Sequence, residues 1–417
     1  MFFPMFTPSG SPGFFMRQAR HGHFRRTLLS ALAAAGLLML SVNGAGATGD
    51  VGEREALRGR SLNPRLLGLT PNRWILFSRP AQADWRRQPH AGIAYDSKRG
   101  TLLVFGSNTH GLDWDNEVHE FDPVTARWET HYPRAPKESY RADGAGRAIA
   151  GTDRLLPWAM HTYDNIVYDP RLDAIVVSAL PEHNPIRKSV PEAKIDPTWI
   201  YDLKTRRWRI FANNGKPYPR FFAAASAYDP DRDVIAAYKW GMWEIGPGRD
   251  EWKKATGESH HEMHYTMDYD AKHKKFVVFG DYYNTNDVWT YTPGPRAGDK
   301  GTWEKNTPQG TSCPPGQHFP VAYDSDHGVF LLVVDNTPYA DEDSKGRRKP
   351  IGRARSSSSF VYDLGRNRCV RLPDADLQPL GMNYMMVYDR FHKVFLLVTG
   401  DQGKPAAVWA LRLDWPS

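Results

Sequence analysis

Six times along the 417-residue chain a Tyr-Asp pair closes one apolar run, and a second apolar run follows across a short polar turn. The pairs are Tyr95-Asp96, Tyr168-Asp169, Tyr228-Asp229, Tyr269-Asp270, Tyr323-Asp324 and Tyr388-Asp389, and the first copy reads AGIAYDSKRGTLLVFG. A repeat of this size marks an array whose units bury their faces only against neighbouring units. Runs rich in Val, Leu and Phe, bounded by turn residues, suit strands covered on both faces. Several copies continue into a third and fourth strand with a tryptophan, as in EVHEFDPVTARWETH and TWIYDLKTRRWRIF. One unit is then a four-stranded antiparallel blade, and the chain is expected to be an all-β propeller of six blades around an axis.

A degenerate seventh blade would have to lie in 131–160, which reads as loop. The last copy holds only three strands, MMVYD, VFLLVTG and AAVWALRLD. Its fourth is expected from NRWILFS at Asn72–Ser78, ahead of the first copy. Such closure ties the two chain ends together and removes an open sheet edge.

Ahead of the repeats, Arg25-Arg26 precedes the apolar TLLSALAAAGLLMLSV and then the small residues Asn43-Gly44-Ala45-Gly46-Ala47. This order is that of an export signal over 1–47, followed by a linker over 48–66 and the propeller over 67–417. The arginine pair also fits a twin-arginine signal, with an ordinary secretory signal as the alternative, and Met16 is an alternative start. The expected location is periplasmic or extracellular, with no membrane span in the mature chain. The net charge is +7; the first 47 residues hold four arginines and no acid, so the remainder carries +3. That mild excess, without a Lys/Arg run, speaks against nucleic acid and is compatible with an anionic glycan. Cys313 falls in a loop and Cys369 in an outer strand, so the two are expected to remain unpaired, and a free thiol in an oxidising compartment invites metal ligation.

Equivalent residues of each copy lie at one height, which lets the sequence be read as a ring. Five positions before each Tyr stand His90, Tyr163, Ala223, His264, His318 and Asn383. Eight before stand Arg87, Met160, Arg220, His261, Pro315 and Leu380. The ends of the second strands add His110, His183, Lys239-Trp240, Tyr282-Tyr283, Asn336 and Gln402 to the same face. Long loops at 131–160 and 180–196 rise there, the usual place for binding residues on a rigid scaffold. Trp114, Trp158, Trp240, Tyr282 and Tyr283 near this rim can stack on sugars or pack between blades.

The residues resemble kelch-type repeats, the propeller family that includes the galactose oxidase central domain. The matching features are the apolar-Tyr-Asp strand, the ends Val104-Phe105-Gly106 and Val278-Phe279-Gly280, and the hairpin Phe121-Asp122-Pro123…Trp128. The resemblance covers roughly Leu67 to Pro416; the usual double glycine is reduced to one or lost. It implies fold and little chemistry.

Carboxylate pairs for glycoside hydrolysis are not evident on the ring, nor is a Gly-x-Ser-x-Gly elbow or a phosphate loop. His, Tyr and Arg suit β-elimination on a uronic acid: a cation neutralises the carboxylate, a base takes the C5 proton and an acid protonates the leaving oxygen. Here the sequence resembles the secreted propeller polysaccharide lyases, in particular the ulvan lyases, through His90, His110, Tyr163 and Arg220. Those enzymes usually count seven blades. The resemblance implies proton transfer by Tyr163 and His110 and carboxylate neutralisation by Arg220 with His90, on an anionic polysaccharide. Substrate contacts are expected from His183, Lys239, Trp240, Tyr282 and Asn383. His264, Cys313 and His318 precede adjacent inner strands and make a candidate zinc site; the alternative places His264 in the substrate channel. Calcium is an open alternative, and no organic cofactor is implied. The rival function is a non-catalytic kelch propeller that binds glycan or protein, and on either reading the protein is expected to be a monomer. The third is a copper radical oxidase, which needs a cysteine beside a tyrosine.

Overall fold

The computed structural model describes residues 61–417, apart from 82–84, 112, 182, 212–220, 249–250, 309–312, 346, 378 and 417. The export signal, most of the linker and Arg220 lie outside the described residues.

Six four-stranded antiparallel blades are present. Blade 1 runs Gly92–Asp96, Thr101–Phe105, His119–Asp122 and Arg127–Thr130, from the axis outward. Blade 2 is Ile166–Asp169, Ala174–Val177, Thr198–Asp202 and Arg207–Phe211; blade 3 is Ala225–Asp229, Val234–Tyr238, Met242–Ile245 and Lys253–Thr256. Blade 4 is Thr266–Asp270, Lys275–Phe279, Val288–Thr292 and Thr302–Asn306; blade 5 is Val321–Asp324, Val329–Asp335, Ser357–Asp363 and Arg368–Arg371. Blade 6 has Met386–Asp389, Val394–Thr399 and Ala407–Leu411, completed by Ile75–Ser78 from the start of the described chain. The closing strand pairs Ile75 with Ala410 and Leu76 with Trp409, then slips by a bulge to Ser78 opposite Val408. The innermost strands neighbour one another in sequence order, and the last meets the first. Six blades therefore close the ring.

The second strand of each blade is sealed on both faces: Leu102, Leu103, Val104 and Phe105 are fully buried, as are Leu396 and Leu397. Truncating any one to alanine is expected to cost about 2–5 kcal/mol. The stretch 131–160 forms one short hairpin, Arg141–Ala142 with Ala148–Ile149, and no blade. Its tryptophan Trp158 is buried against Tyr140 and donates to the Ile149 carbonyl at 2.8 Å. Trp114 is likewise buried against Tyr140. Both are packing residues rather than sugar platforms.

The Tyr-Asp pair has a structural reason. Each aspartate is buried and accepts backbone N–H groups of its own turn, as Asp96 does from Lys98 and Arg99 and Asp389 from Phe391 and His392. This is the Asx-type capping that favours Asp at turns. Its second oxygen meets a basic side chain of the same turn: Arg99, Arg171 and Arg232 in blades 1–3, His273, His327 and His392 in blades 4–6. The tyrosine often crosses to the previous blade. Tyr95 donates to Asp389, Tyr269 to Asp231, Tyr323 to Asp270 and Tyr388 to Asp326.

The cysteines depart from expectation. Cys313 and Cys369 form a disulfide with Cα atoms 5.3 Å apart. The loop before blade 5 and the outer strand of that blade come together in space although 56 residues separate them in sequence. Neither sulfur is then a thiolate.

Candidate functional site

The end of the ring opposite the Tyr-Asp turns collects histidines. The residues five before each tyrosine do stand at one height, because backbone hydrogen bonds link them blade to blade. Tyr163 N–H donates to the His90 carbonyl at 3.0 Å, His264 to Ala223 at 3.4 Å, His318 to His264 at 3.2 Å and Asn383 to His318 at 3.1 Å. Tyr163, Ala223, His264 and His318 hold left-handed backbone, with φ of 51°, 48°, 63° and 57°. That conformation costs a non-glycine residue on the order of 1 kcal/mol or more, and it clusters where side chains are aimed for function.

The segment entering blade 2 is stapled onto blade 1. Thr162 donates to the Phe105 carbonyl at 2.6 Å and accepts from Gly92 N–H at 2.8 Å. Two glycines make this approach possible: a Cβ on Gly92 would stand 2.1 Å from the Tyr163 carbonyl, and one on Gly106, at φ 124°, 2.3 Å from Thr162 Oγ1. The staple lays His161 flat on His90, with ring centroids 3.9 Å apart and planes 8° from parallel. His110, exposed on the turn Thr109–Gly111 that follows the second strand of blade 1, sits over both, at 5.6 Å from His90 and 4.6 Å from His161. His183 lies 4.4 Å from His110.

Tyr163 is buried at the centre, its ring 5.5 Å from His90, 5.4 Å from His264, 5.6 Å from Phe222 and 5.8 Å from Tyr384. Its hydroxyl meets His161 Nδ1 at 3.0 Å. A second such pair faces it: Tyr384 hydroxyl with His318 Nδ1, also 3.0 Å, and His318 packs 4.1 Å from His264.

These imidazoles are held neutral. Burial, then the neighbouring His110, brings His90 down to about 4, although Asn108 beside it pulls slightly upward. Burial and then His90 bring His161 to about 2. Burial and the ammonium of Lys239 bring His264 to about 3, and burial with His264 places His318 well below the ordinary value. Charging one imidazole in so dry a cluster costs hydration that nothing nearby replaces.

Of the residues expected from sequence, His90, His110, Tyr163, His183 and His264 come together here, and His318 borders them. Lys239 is buried, donates to the Glu262 carbonyl at 2.7 Å and lies over exposed Trp240 at 5.0 Å. Tyr282 is exposed, 6.2 Å from His264. Asn383 is fully buried and spends its side chain on its own blade, donating to Val398 and accepting from Met385. It is a brace rather than a substrate contact. The zinc set His264, Cys313 and His318 is not assembled, because Cys313 is in the disulfide. His161, Tyr384 and Phe222 complete the site and were not singled out by register. A His-x-Tyr spacing at 161–163 was the available signal.

A cavity of about 250 Å³ adjoins His318, lined among others by Asn284, Gln317, Asp335 and Tyr339. A wider cleft of about 670 Å³, lined by Asp96, Arg99, His131 and Arg206 among others, includes no member of this histidine cluster.

No protein-family model matches the chain, and no curated protein matches it significantly. Among solved structures, it is similar to a Bacteroides thetaiotaomicron VPI-5482 structural genomics protein of unknown function. The TM-score is 0.44 at 12% identity, over 81% of this chain and 75% of that one.

Proposed function

We propose that the histidine face is the active site of an exported polysaccharide lyase that cleaves a uronic-acid-containing, ulvan-like polysaccharide by β-elimination. The observation that supports this most is Tyr163, buried at the centre of the cluster with its hydroxyl on His161 and its ring against His90 and His264. In the reaction the C5–H bond breaks and the proton passes to the Tyr163 oxygen. His161 Nδ1 holds the tyrosine's own hydroxyl proton meanwhile, the electron pair forms the C4=C5 bond, and the C4–O bond breaks as the leaving oxygen takes the proton back from Tyr163. His90 and Arg220 are assigned to the sugar carboxylate. His110 is assigned with Tyr163 to the proton transfer, its ring meeting His161, which holds the Tyr163 hydroxyl. Exposed Trp240, beside Lys239, and exposed Tyr282, near His264, offer faces for flanking sugars.

Those exposed aromatics equally favour a second reading, a propeller that binds glycan without cutting it. An oxidase of the copper-radical type fits less well, because the disulfide leaves no thiol for a tyrosine–cysteine link.

The test is ultraviolet absorbance of the new conjugated C=C when the protein meets a panel of uronate polysaccharides, ulvan first. A rise is expected, with Tyr163→Phe losing at least about a hundredfold in turnover while binding survives. Flat traces across the panel, with zinc or calcium added and binding intact, would leave the binding propeller as the function.

A further inference from the structure

We propose that the cavity beside His318 is a subsite for an uncharged sugar ring, the chain neighbour of the uronate held at Tyr163. The inference rests on the reading of the histidine face as a site for a uronate-containing glycan, whether that glycan is cut or only bound.

The cavity measures about 250 Å³ and is lined by connections of blades 4, 5 and 6. That is room for one sugar ring rather than a chain. Its outer wall is a hairpin in the long connection between the second and third strands of blade 5. Across it Ala340 N–H donates to the Lys349 carbonyl and Ile351 N–H to the Pro338 carbonyl, each at 2.9 Å. Near its tip Asp343 accepts from Lys345 and Arg347 N–H at 2.8 and 3.0 Å. The hairpin is tied to blade 4, with Arg348 N–H on the Tyr283 carbonyl at 2.9 Å and Asn284 Nδ2 on the Arg348 carbonyl at 3.0 Å. A wall bonded to its neighbour gives a pocket formed before its ligand arrives.

The independent observation is Gln317. Asn284 commits its amide nitrogen to Arg348, so its Oδ1 is an acceptor, and the Gln317 nitrogen points to it at 3.4 Å. That orientation leaves Gln317 Oε1 buried without a hydrogen-bond partner. A buried carbonyl oxygen in this state costs about 1–3 kcal/mol, and native folds rarely leave one without a ligand or water. His318 has its Nδ1 on the Tyr384 hydroxyl at 3.0 Å, which leaves Nε2 for a ligand.

Charge defines the class of that ligand. The remaining polar lining is the hydroxyls of Thr337 and Tyr339 and the carboxylate of Asp335. With the Gln317 amide and a neutral imidazole they offer the mixed donors and acceptors that sugar hydroxyls require. The rings of Phe319 and Tyr339 line the same space and suit the apolar face of a pyranose. No lysine or arginine lines it. Arg87, whose charge reaches Asp335, directs its guanidinium to the carbonyls of Leu380, Met382 and Gly400. A carboxylate or sulfate ester in the cavity would face Asp335 without a counter-ion, which selects against it.

The subsite lies one imidazole from the centre. His318 packs 4.1 Å from His264 and holds Tyr384, and both of those rings meet Tyr163. The substrate is thereby narrowed to a polymer in which uronate is followed by an uncharged, unsulfated sugar. The wider cleft on blade 1 makes no such demand, since Arg206 grips Glu129, Arg99 holds Asp96 and Asp173, and His131 sits on Glu120.

The experiment measures glycan affinity by calorimetry on the Tyr163→Phe protein, in which cleavage does not interfere. The probes are polymers that alternate uronate with an uncharged sugar (hyaluronan, unsulfated chondroitin, desulfated ulvan) and polymers of uronate alone (polygalacturonate, alginate). At least one alternating polymer is expected to bind at least about tenfold tighter than either polyuronate. Gln317→Ala loses one long hydrogen bond and is expected to keep the fold by circular dichroism. It is expected to weaken the alternating polymer about tenfold and leave polyuronate binding unchanged. Asp335→Asn is expected to narrow the gap between the two classes. Polyuronate bound as tightly as any alternating polymer, unchanged affinity in Gln317→Ala, or equal weakening of both classes would overturn the subsite. Binding of no probe overturns the subsite together with the glycan reading. The expected preference in a parent protein that cleaves nothing removes the lyase reading alone. Cleavage of polyuronate as fast as of any alternating polymer removes the subsite alone.

Discussion

The two ends of the propeller use histidine in opposite ways. At the Tyr-Asp turns, His273, His327 and His392 each set Nδ1 on a buried aspartate at 2.7, 2.7 and 2.5 Å. His392 also accepts the Asn63 N–H on Nε2 at 2.9 Å, so both its nitrogens are used. At the other end, His264 buries an unpartnered Nδ1, and His90, His161, His264 and His318 are pressed against aromatic rings and held neutral. Buried polar groups that are satisfied hold a fold together; those left short of partners mark where a ligand belongs. The turn end is therefore read as the stabilising end, and the histidine end is where the proposed site lies.

The largest expected effect tests that division directly. Asp389→Ala strips a partner from Phe391 N–H, His392 N–H, His392 Nδ1 and the Tyr95 hydroxyl at once. It leaves a buried imidazole uncompensated, and about 4 kcal/mol of unfolding free energy is expected to be lost. His264→Ala removes a ring with no hydrogen bond on Nδ1 and is expected to cost about 1 kcal/mol or less. Denaturant titration of the two variants compares them. Equal losses would break the comparison, since the histidine end would then be as structural as the turns.

Much of the architecture was legible because it is carried by local pattern. The Tyr-Asp repeat placed all six inner strands, and the three-strand count of the last copy exposed the need for Ile75–Ser78. The ring register worked for His90, Tyr163, His264 and His318 because backbone hydrogen bonds tie those positions together. It passed over His161, seven before Tyr168, whose place depends on Thr162 reaching a strand some sixty residues away and on two glycines that admit it. It chose Asn383 over the adjacent Tyr384 because spacing does not reveal which side chain turns into its own blade. Pairing of Cys313 with Cys369 is a contact between a loop and an outer strand, and strand periodicity carries no information about it.

The next effect is on pH dependence. His261, on the approach to blade 4, is buried, with Nδ1 on the Tyr238 hydroxyl at 3.0 Å and Nε2 unpartnered. Burial, then the neighbouring His260, lowers it to about 3. In the unfolded chain it titrates near 6.5. The stability it contributes is fully present above the unfolded value and is lost as pH falls toward the folded one. At pH 4 the loss from this residue amounts to about 3 kcal/mol. Unfolding free energies of the parent and His261→Gln between pH 7 and pH 4 isolate it: the variant's curve is expected to be flatter. Parallel curves would show that the approach segment opens to water before the imidazole is charged.

The smallest effect concerns the seam. Tyr95 belongs to blade 1 and donates at 2.8 Å to Asp389 of blade 6, where the ring closes. Tyr168 donates to Asp173 within its own blade at 2.9 Å. Both acceptors are carboxylates, so each hydroxyl is worth more than a neutral pair, but the consequences differ. Removing the Tyr95 hydroxyl takes a bond from a buried carboxylate and from the joint between the first and last blades. Tyr95→Phe is expected to cost about 1.5 kcal/mol. Asp173 keeps the guanidinium of Arg99 at 2.6 Å when Tyr168 becomes Phe, and about 0.5 kcal/mol is expected there. If the two tyrosines cost the same, the Tyr-Asp pair serves each blade separately. If Tyr95 costs more, as expected, the repeat acts between blades, and its tyrosines are part of what holds the ring, and the histidines above it, in register.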